Sequence, residues 1–407
     1  MPTDSTDFCV IGGGVIGLSI ARELKARHPD QRVTVLEKEP AWGAHASGRN
    51  SGVLHAGFYY SADSLKARFT RAGNQRLTAY CEAKGLRLNR CGKLVVARGP
   101  EELAGLDELY RRGQANGVPL EMLSEADARA LEPRVRTHER ALFSPTTSTV
   151  DPHQLMGSLA RDAAAEGVRL ELGVKFLGRD GTAVLTRAGR LEAGYVVNAA
   201  GLYADRVAHA YGFGAHYRVL PFKGLYLYSS EPPGSLRTHV YPVPNLKQPF
   251  LGVHFTVQVD GRPKIGPTAL PALWREQYGG LSGFSAGELL DVAGRGAALI
   301  LRSGFDFRQL AYDELSKRSR RTLVGLAGKL LSGVREEDYR TWGKPGIRAQ
   351  LVDTRTRTLV MDFALEGDGR SMHVLNAVSP GFTCSMPFAE HVCDAIARGE
   401  AGPAPTA

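Results

Sequence analysis

A glycine-rich turn directly after an apolar run constrains the fold of this chain more than any other feature. Residues 8–11 are apolar, and Gly12, Gly14 and Gly17 follow them at the spacing typical of a strand, a tight turn and a helix. Glycines at these positions let the backbone curl, approach a pyrophosphate and pack the helix against the sheet. The helix N-terminus would then direct its free N–H groups at the phosphates.

An acidic residue completes this pattern. Glu37 closes the second apolar run, residues 33–36, and lies about twenty residues beyond Gly17. A carboxylate at the tip of the second strand accepts the hydroxyl protons of an adenosine ribose and would repel a phosphate at the ribose 2′ position. Strand, glycines, helix and acid in this order predict a dinucleotide site, in preference to a glycine-rich turn kept for packing alone.

Length and charge limit the remaining choices. A chain of 407 residues exceeds the size at which one hydrophobic core usually keeps growing, which predicts two domains. The formal net charge is +9, but the lysines and arginines are scattered among acidic residues without a dense basic block. We therefore expect no nucleic-acid partner, and we expect the positive balance to favour small anionic ligands.

The cysteines and the apolar runs indicate the compartment. The five cysteines form no Cys-x-x-Cys or Cys/His pattern, which predicts reduced thiols and no metal site. No apolar run is long enough to span a bilayer, and the seven residues before the first strand are too few for a signal peptide. These features predict a cytoplasmic protein.

Changes of pattern along the chain predict a discontinuous domain arrangement. Residues 1–85, 146–215 and 340–407 carry strand and helix signals in alternation, and we assign them to one cofactor-binding domain. Residues 86–145 and 216–339 are richer in short strands, and we assign them to a substrate-binding domain. The predicted fold class is α/β, with a Rossmann-like domain and an inserted α+β domain built on an antiparallel sheet.

Several short motifs resemble one group of flavoenzymes. The segments that carry the resemblance are 47–60, 64–68, 91–94, 198–201, 221–224, 251–256, 265–267, 375–377 and 379–381. Together they are similar to the FAD-dependent oxidoreductases related to D-amino-acid oxidase and, within that group, to the L-2-hydroxyglutarate dehydrogenase/oxidase family. The resemblance covers nearly the whole chain and implies an FAD-binding domain of the glutathione-reductase type. Arg49 and Leu225 depart from the family's pattern, which often has histidine and an acidic residue there.

The resemblance implies which residues hold the FAD. Besides the glycine turn, Glu37 and the neighbouring Lys38, it points to small and polar residues after the second strand and at the starts of later helices. These residues are Ser47, Asn50, Ser51, Gly52, Val174, Ala200, Gly201, Gly381 and Phe382. The last two would lie at the pyrimidine end of the flavin, where the positive end of a helix stabilises the reduced, anionic ring.

The implied reaction removes a hydride from a secondary alcohol beside a carboxylate, and it requires a base for the hydroxyl proton. Histidine has the pKa that suits this role, and we expect the base to be His55 or His254, each in a motif of the resemblance. A dicarboxylate substrate needs cationic or polar partners, because an unpaired buried carboxylate is costly. The candidates are Arg49, Lys223, Tyr241 and Arg348.

The sequence leaves three questions open, namely the substrate, the electron acceptor and the role of residues 274–335. Amino acids, amines or glycerol phosphate are alternatives to L-2-hydroxyglutarate as the substrate, and a flavin-binding docking protein is the non-enzymatic alternative. The electron acceptor is oxygen, a quinone or a carrier protein. Residues 274–335 mix apolar faces with basic residues, so they either cover the second domain or form a peripheral contact with the inner face of an anionic membrane.

Overall fold

A computed structural model describes residues 4–245, 252–302, 312 and 314–399, and of residues 297–302 it describes the backbone alone. Parts of the predicted domains, namely residues 1–3, 246–251, 303–311, 313 and 400–407, lie outside this description. The strands, numbered along the chain, are β1 (Asp4–Ile11), β2 (Val33–Glu37), β3 (Val53–Leu54), β4 (Leu88–Asn89), β5 (Lys93–Val96), β6 (Glu121–Ser124), β7 (Arg140–Ser144), β8 (Ser148–Val150), β9 (Arg169–Leu172), β10 (Phe176–Asp180), β11 (Ala183–Thr186), β12 (Gly189–Asn198), β13 (Tyr217–Gly224), β14 (Leu227–Tyr228), β15 (His239–Pro242), β16 (His254–Val257), β17 (Pro263–Gly266), β18 (Leu270–Pro271), β19 (Thr341–Trp342), β20 (Gly346–Asp353), β21 (Thr358–Leu359), β22 (Ala364–Gly367) and β23 (Ser371–Asn376).

The α-helices of the described part are α1 (Val15–Arg27), α2 (Leu65–Ala83), α3 (Leu103–Ala115), α4 (Glu125–Leu131), α5 (Pro152–Ala165), α6 (Ala204–Ala210), α7 (Ala286–Arg302), α8 (Arg320–Ala327) and α9 (Gly381–Arg398). Short 3-10 turns lie at Pro100–Glu102, Gly201–Tyr203 and Glu336–Asp338. Among these helices, none combines the length and the apolarity that crossing a membrane requires.

The first half of the fold is a sheet with parallel central strands. Strands β9, β2, β1, β12 and β23 lie side by side in this order and all run in the same direction. On β1, Val10 belongs to the core that α1, α2, α5 and α9 cover, whereas Cys9 and Ile11 belong to the core on the α6 side. Burial on both faces explains why this strand is apolar in succession and not in alternation.

The second half is an eight-stranded sheet in the order β19, β14, β17, β16, β15, β5, β7, β6. Its pairs are antiparallel except for β15 and β5, which run parallel and place His239 opposite Lys93. Leu323 of helix α8 belongs to the same buried core as Phe255 and Ile265 of this sheet. The two halves together confirm the predicted α/β class with a Rossmann-like sheet and an α+β part built on antiparallel strands.

A smaller antiparallel sheet bears on the predicted domain boundaries. Strands β13 and β20 pair along their whole length, from Tyr217 opposite Asp353 to Gly224 opposite Gly346. The predicted boundary at residue 340 separates these two strands, although eight residue pairs join them. We propose to keep them together by extending the substrate-binding domain over residues 346–359, because a sheet is seldom divided between domains.

A buried ion pair joins helix α6 to the segment that follows β18. Both carboxylate oxygens of Asp205 accept hydrogen bonds from the guanidinium of Arg275, at 2.7 and 2.8 Å, and both side chains are buried. Asp205 also accepts from the backbone N–H of Val219 at 2.9 Å. Burial alone raises the pKa of the Asp205 carboxyl, but the hydrogen bonds and the charge of Arg275 outweigh it, so that this pKa lies below its usual value.

We expect the substitution Asp205→Asn to destabilise the fold by about 3–5 kcal/mol, because it keeps the shape of the side chain but leaves the Arg275 charge buried and unpaired. The measurement is the midpoint of thermal or urea unfolding. Because the folded-state pKa of Asp205 is lowered, the pair stabilises the protein above the unfolded pKa of about 4. The difference between the two proteins should therefore shrink as the pH falls below that value.

The control is Asp180→Asn, which removes one of the two carboxylates, Asp180 and Glu192, that form exposed ion pairs with Arg190. This variant should lose less than about 1 kcal/mol. Equal losses in the two variants would contradict the importance assigned to the buried pair.

Candidate active site

A cavity of about 620 Å³ lies at the carboxyl ends of the parallel strands. Its lining includes Gly12 after β1, Glu37 at the end of β2, Ala200 after β12 and Ala377 after β23. In open parallel sheets this edge is where ligands bind, because helix N-termini and loops converge there. We call this space the dinucleotide cavity.

Close backbone packing explains two of the three turn glycines. Gly12 has a φ of +111°, and a Cβ atom on it would lie 2.4 Å from the carbonyl oxygen of Ala199. A Cβ atom on Gly17 would lie 1.9 Å from the carbonyl oxygen of Gly12. Gly17 itself does not line the cavity, so its part is to let α1 start directly behind the turn. The N–H of Val15 donates to Ser47 Oγ at 2.9 Å, which ties the loop after β2 to this helix N-terminus.

The Glu37 carboxylate is held in place at the rim of the dinucleotide cavity. Its two oxygens accept hydrogen bonds from the backbone N–H groups of Gly13 and Glu39, each at 2.9 Å. Each oxygen keeps a further lone pair for a ribose hydroxyl. Val174 lines the cavity next to it and donates its N–H to the carbonyl oxygen of Glu37 at 2.9 Å. Lys38 also lines the cavity, where its ammonium forms an ion pair with Glu276 at 2.7 Å.

The other predicted cofactor residues divide into two groups. Those that line the dinucleotide cavity are Gly14, Ser47, Asn50, Ser51, Ala200, Gly201, Gly381 and Phe382. Gly52 lines neither this cavity nor the smaller one described below. Its φ is +79°, a Cβ atom on it would lie 2.3 Å from the carbonyl oxygen of Val150, and its N–H donates to Asn50 Oδ1 at 2.8 Å. Gly52 therefore shapes the loop that carries Asn50 and Ser51.

The cavity fits an extended dinucleotide such as FAD. The glycine turn leaves no Cβ atoms between the backbone and a pyrophosphate, and the N-terminus of α1 has no acidic residue in its first turn. Glu37 stands at one end, and the N-terminus of α9, with Gly381 and Phe382, stands among the other lining residues. The positive ends of two helices therefore meet a ligand that carries negative charge on its phosphates and, when reduced, on its ring.

A smaller cavity of about 100 Å³ adjoins the dinucleotide cavity. The residues that line both are Ser51, His55, Tyr226, Pro267, Arg348, Val378 and Ser379. The smaller cavity brings together four of the predicted catalytic and substrate residues, namely His55, Tyr241, His254 and Arg348. We call it the substrate pocket.

Two predicted substrate residues lie elsewhere. Arg49 lines the dinucleotide cavity alone, donates to the carbonyl oxygen of Ala44 at 2.6 Å, and places its guanidinium 4.3 Å from the ring centre of Tyr278. Lys223, on β13, lines neither cavity. The sequence analysis proposed Lys223 as a substrate residue because its motif, residues 221–224, resembles the family. In the structure this motif lies on β13, which pairs with β20 in the smaller antiparallel sheet.

The two predicted base residues differ in their hydrogen bonds. His254 Nδ1 lies 2.9 Å from the carbonyl oxygen of Gly252, which can only accept, so Nδ1 carries the hydrogen and Nε2 of the neutral ring keeps a lone pair. Burial, with nearby positive charge, holds the pKa of His254 well below its ordinary value. The His55 ring has no hydrogen-bond partner among the described residues, and burial together with Lys93 lowers its pKa to about 3. Both rings are therefore neutral proton acceptors at neutral pH.

Sequence reasoning did not assign to the substrate pocket three buried lysines that lie around it, although two of them belong to motifs of the resemblance. Lys66 lines the pocket directly. The ammonium of Lys264 lies 4.7 Å from the ring centre of Tyr226, and that of Lys93 lies 4.4 Å from the ring centre of Tyr241; both rings line the pocket. The signal that could have found Lys93 is a lysine in an otherwise apolar strand, because such a position is seldom charged.

Positive charge dominates this region. Arg348 and Lys66 line the pocket, and Lys93 and Lys264 lie behind its aromatic walls. Among the described lining residues the only carboxylate is Glu314, which already forms an ion pair with Lys317. A small anion is the ligand that such a pocket favours.

Known proteins match this chain along almost its entire length. Residues 7–395 match the family described as "DAO: FAD dependent oxidoreductase". The L-2-hydroxyglutarate dehydrogenase of Escherichia coli (strain K12) is 32% identical over 397 residues, which cover 96% of this chain and 93% of that protein. The mitochondrial L-2-hydroxyglutarate dehydrogenase of Homo sapiens is 35% identical over 417 residues, with coverages of 97% and 89%.

Solved structures share the fold. The L-alpha-glycerophosphate oxidase from Mycoplasma pneumoniae, solved with FAD bound, has a TM-score of 0.77 at 22% identity and covers 99% of this chain and 97% of its own. The glycine oxidase from Geobacillus kaustophilus has a TM-score of 0.72 at 23% identity, with coverages of 98% and 96%. With the sequence relatives, these likenesses make the chain a member of the DAO family of FAD dependent oxidoreductases and, within it, of the group of the L-2-hydroxyglutarate dehydrogenases.

Proposed function

We propose that the protein oxidises L-2-hydroxyglutarate to 2-oxoglutarate with FAD as the hydride acceptor. The observation that carries this proposal is the substrate pocket, which adjoins the dinucleotide cavity and is surrounded by buried cations. The sequence relatives are named for this reaction. The competing reactions, oxidation of an amino acid or of glycerol phosphate, are named in more distant structural neighbours.

The charge balance favours a dicarboxylate over an amino acid. A substrate with two carboxylates brings two negative charges to a region that holds Arg348 and Lys66 on its surface and two further lysines behind it. An amino acid would add an ammonium group to the same surroundings, where no free carboxylate lines the pocket among the described residues. Because a buried charge without a partner is costly, the pocket should discriminate against that cation.

The pocket also supplies a proton acceptor. Oxidation of the alcohol sends the α-hydrogen to the bound FAD as a hydride, which is the chemistry that this cofactor contributes. The hydroxyl proton must pass to the protein, and we propose His254 Nε2 as its acceptor, since Gly252 holds the hydrogen on Nδ1. His55, which lines both cavities, would orient the hydroxyl at the boundary between them. Arg348 would hold one carboxylate.

The acceptor of the electrons and the site of action are further proposals. We infer a cytoplasmic protein that makes a peripheral contact with the inner face of the membrane through residues 274–335, with a quinone as acceptor and with oxygen or a carrier protein as alternatives. Leu281 and Leu290 support the contact, because they are 77% and 74% exposed at the start of this segment. Residues 303–311 and 313 of the segment lie outside the described residues.

We expect the purified protein to sediment with anionic vesicles but not with neutral ones. A protein that sediments with neither would contradict the proposed membrane contact.

The function is tested by adding single 2-hydroxy acids, 2-amino acids and glycerol phosphate to the purified holoenzyme without oxygen. The yellow flavin band should bleach fastest with L-2-hydroxyglutarate, and 2-oxoglutarate should form without ammonia. Bleaching by an amino acid with release of ammonia would support the amine-oxidase alternative. A flavin band that none of the compounds changes would point to a docking protein.

We expect His254→Asn to lower kcat about a hundredfold or more, because the amide can still donate to Gly252 but cannot accept the substrate proton. The rate of anaerobic flavin reduction measures this effect. The control is His138→Asn, since His138 is half-buried and lines neither cavity. A His254→Asn enzyme with an unchanged reduction rate would assign the base to another residue.

We expect Arg348→Met to raise KM for L-2-hydroxyglutarate by about ten- to a hundredfold, which corresponds to the loss of a charge-assisted hydrogen bond. The matched control is Lys223→Met, which removes a cation of the neighbouring strand that lines neither cavity. The measurement is the KM for L-2-hydroxyglutarate of both variants from steady-state kinetics. A larger effect at Lys223 would restore that residue as the substrate partner.

A further inference from the structure

Lys93 is buried in a setting unusual for a lysine. It is the first residue of β5, its side chain is fully buried, and its ammonium has no hydrogen-bond partner among the described residues. Three aromatic rings lie around the ammonium, with centres 4.4 Å away for Tyr241, 5.1 Å for Tyr59 and 5.4 Å for Phe58. Cation–π contacts stabilise an ammonium only in part when its water is removed. A buried lysine without a hydrogen-bond partner costs stability, and this cost indicates a functional role for Lys93.

Tyr241 connects Lys93 to the substrate pocket. The ammonium of Lys93 lies over the Tyr241 ring, and this ring also stacks on the His254 ring with centres 3.7 Å apart. Both Tyr241 and His254 line the pocket, whereas Lys93 does not. A single aromatic side chain therefore separates the ammonium from the space proposed for the substrate. Because only one aromatic side chain, and no bulk water, lies between them, a charge on Lys93 interacts strongly with a charge in the pocket.

The other two lysines of this region have partners that Lys93 lacks. Lys66 experiences the charge of Asp362, whose carboxylate accepts its backbone N–H at 3.2 Å. The ammonium of Lys264 donates to the carbonyl oxygen of Ser51 at 3.2 Å and experiences the charge of Asp260. Among the described groups that act on the Lys93 ammonium there is no carboxylate. Lys93 is thus the lysine whose charge only a ligand can balance.

The titratable groups around Lys93 come from its own segment, from the residues after β3 and from strands β15 and β16. They are Cys91 on its own segment, Tyr59 and His55 after β3, His239 and Tyr241 on β15, and His254 on β16. On β7, which also pairs with β5, the residue opposite Lys93 is Ser144, which does not titrate. His239 Nδ1 accepts from the backbone N–H of Val257 at 3.0 Å, so a second proton on this ring would break that bond. Burial lowers the pKa of Lys93 to about 7 and that of Lys264 to about 8, whereas burial and the charge of Lys93 lower the pKa of His55 to about 3.

We propose that Lys93 takes up a proton from solvent when a dianionic substrate enters the pocket and then serves as its buried counter-charge. The proposal rests on the proposed function, because it requires a substrate with two carboxylates. Lys93 does not touch this ligand; it acts through Tyr241 as a positioning residue. The proton taken up on binding therefore gives Lys93 a positive charge that balances negative charge of the substrate. Without substrate, the Lys93 side chain need not be charged.

The test is calorimetric binding of glutarate, a dicarboxylate without the oxidisable hydroxyl, to the holoenzyme in buffers of different ionisation enthalpy. At pH 8, with Lys93 mostly uncharged before binding, we expect uptake of close to one proton per site, and at pH 6 we expect little. Lys93→Met should abolish the uptake and weaken binding about tenfold. Lys93→Arg should also abolish the uptake but keep the affinity, because arginine is charged at both pH values.

Lys264→Met is the matched control, since it removes another buried lysine beside an aromatic wall of the same pocket. Burial lowers the pKa of Lys264 to about 8, but its ammonium already donates to Ser51 and faces the charge of Asp260, so this variant should keep most of the proton uptake. Uptake that persists in Lys93→Met, or that is lost in Lys264→Met alone, would overturn the role of Lys93 while leaving the proposed substrate in place. If glutarate does not bind, the proposed product 2-oxoglutarate is the dianion for the same measurement. Binding of a dianion without proton uptake would overturn the role of Lys93 alone, whereas a flavin that L-2-hydroxyglutarate does not bleach would overturn the proposed function, so the two failures are distinguishable.

Discussion

The close contact between the first turn and the strand beside it is the constraint on which the rest of the structure depends. With Gly12 against Ala199 and Gly17 against Gly12, α1 begins at once behind β1 and its N-terminus faces the edge of the sheet. The neighbouring parallel strands end at the same edge, which brings Glu37 and the turn after β12 to the same cavity. Any larger residue at these glycines would push the helix away and close the space for the phosphates.

The antiparallel half of the molecule contributes the basic side chains that lie near the substrate pocket. Its sheet places Lys93, His239, Tyr241 and His254 on neighbouring strands, so that basic and aromatic side chains collect behind one small pocket. Burying several cations in a low-dielectric region is unfavourable by itself, and the aromatic contacts return only part of that cost. The stability given up there is recovered when an anion binds, which is why such a cluster is expected at a binding site and not in an ordinary core.

Much of the dinucleotide cavity could be predicted because its signals are local. The glycine turn, Glu37 and the start of α9 are each recognised from a few consecutive residues, and all of them line the cavity or shape it. Prediction was weaker where a motif has a structural purpose. Gly52 belongs to a motif of the resemblance, but its positive φ serves the loop that presents Asn50. Lys223 likewise belongs to a motif whose strand pairs with β20.

The sequence by itself determined the fold class and the place of the dinucleotide, since a strand, a tight turn and a helix are specified by residues that are close along the chain. Only the tertiary structure decided the composition of the substrate pocket. Lys66, Lys93, Lys264 and Arg348 are far apart in the chain and meet because β5 pairs in parallel with β15 and the pocket walls come from several sheets. No local pattern encodes such a meeting, because strand partners are selected by the packing of whole sheets and not by neighbouring residues.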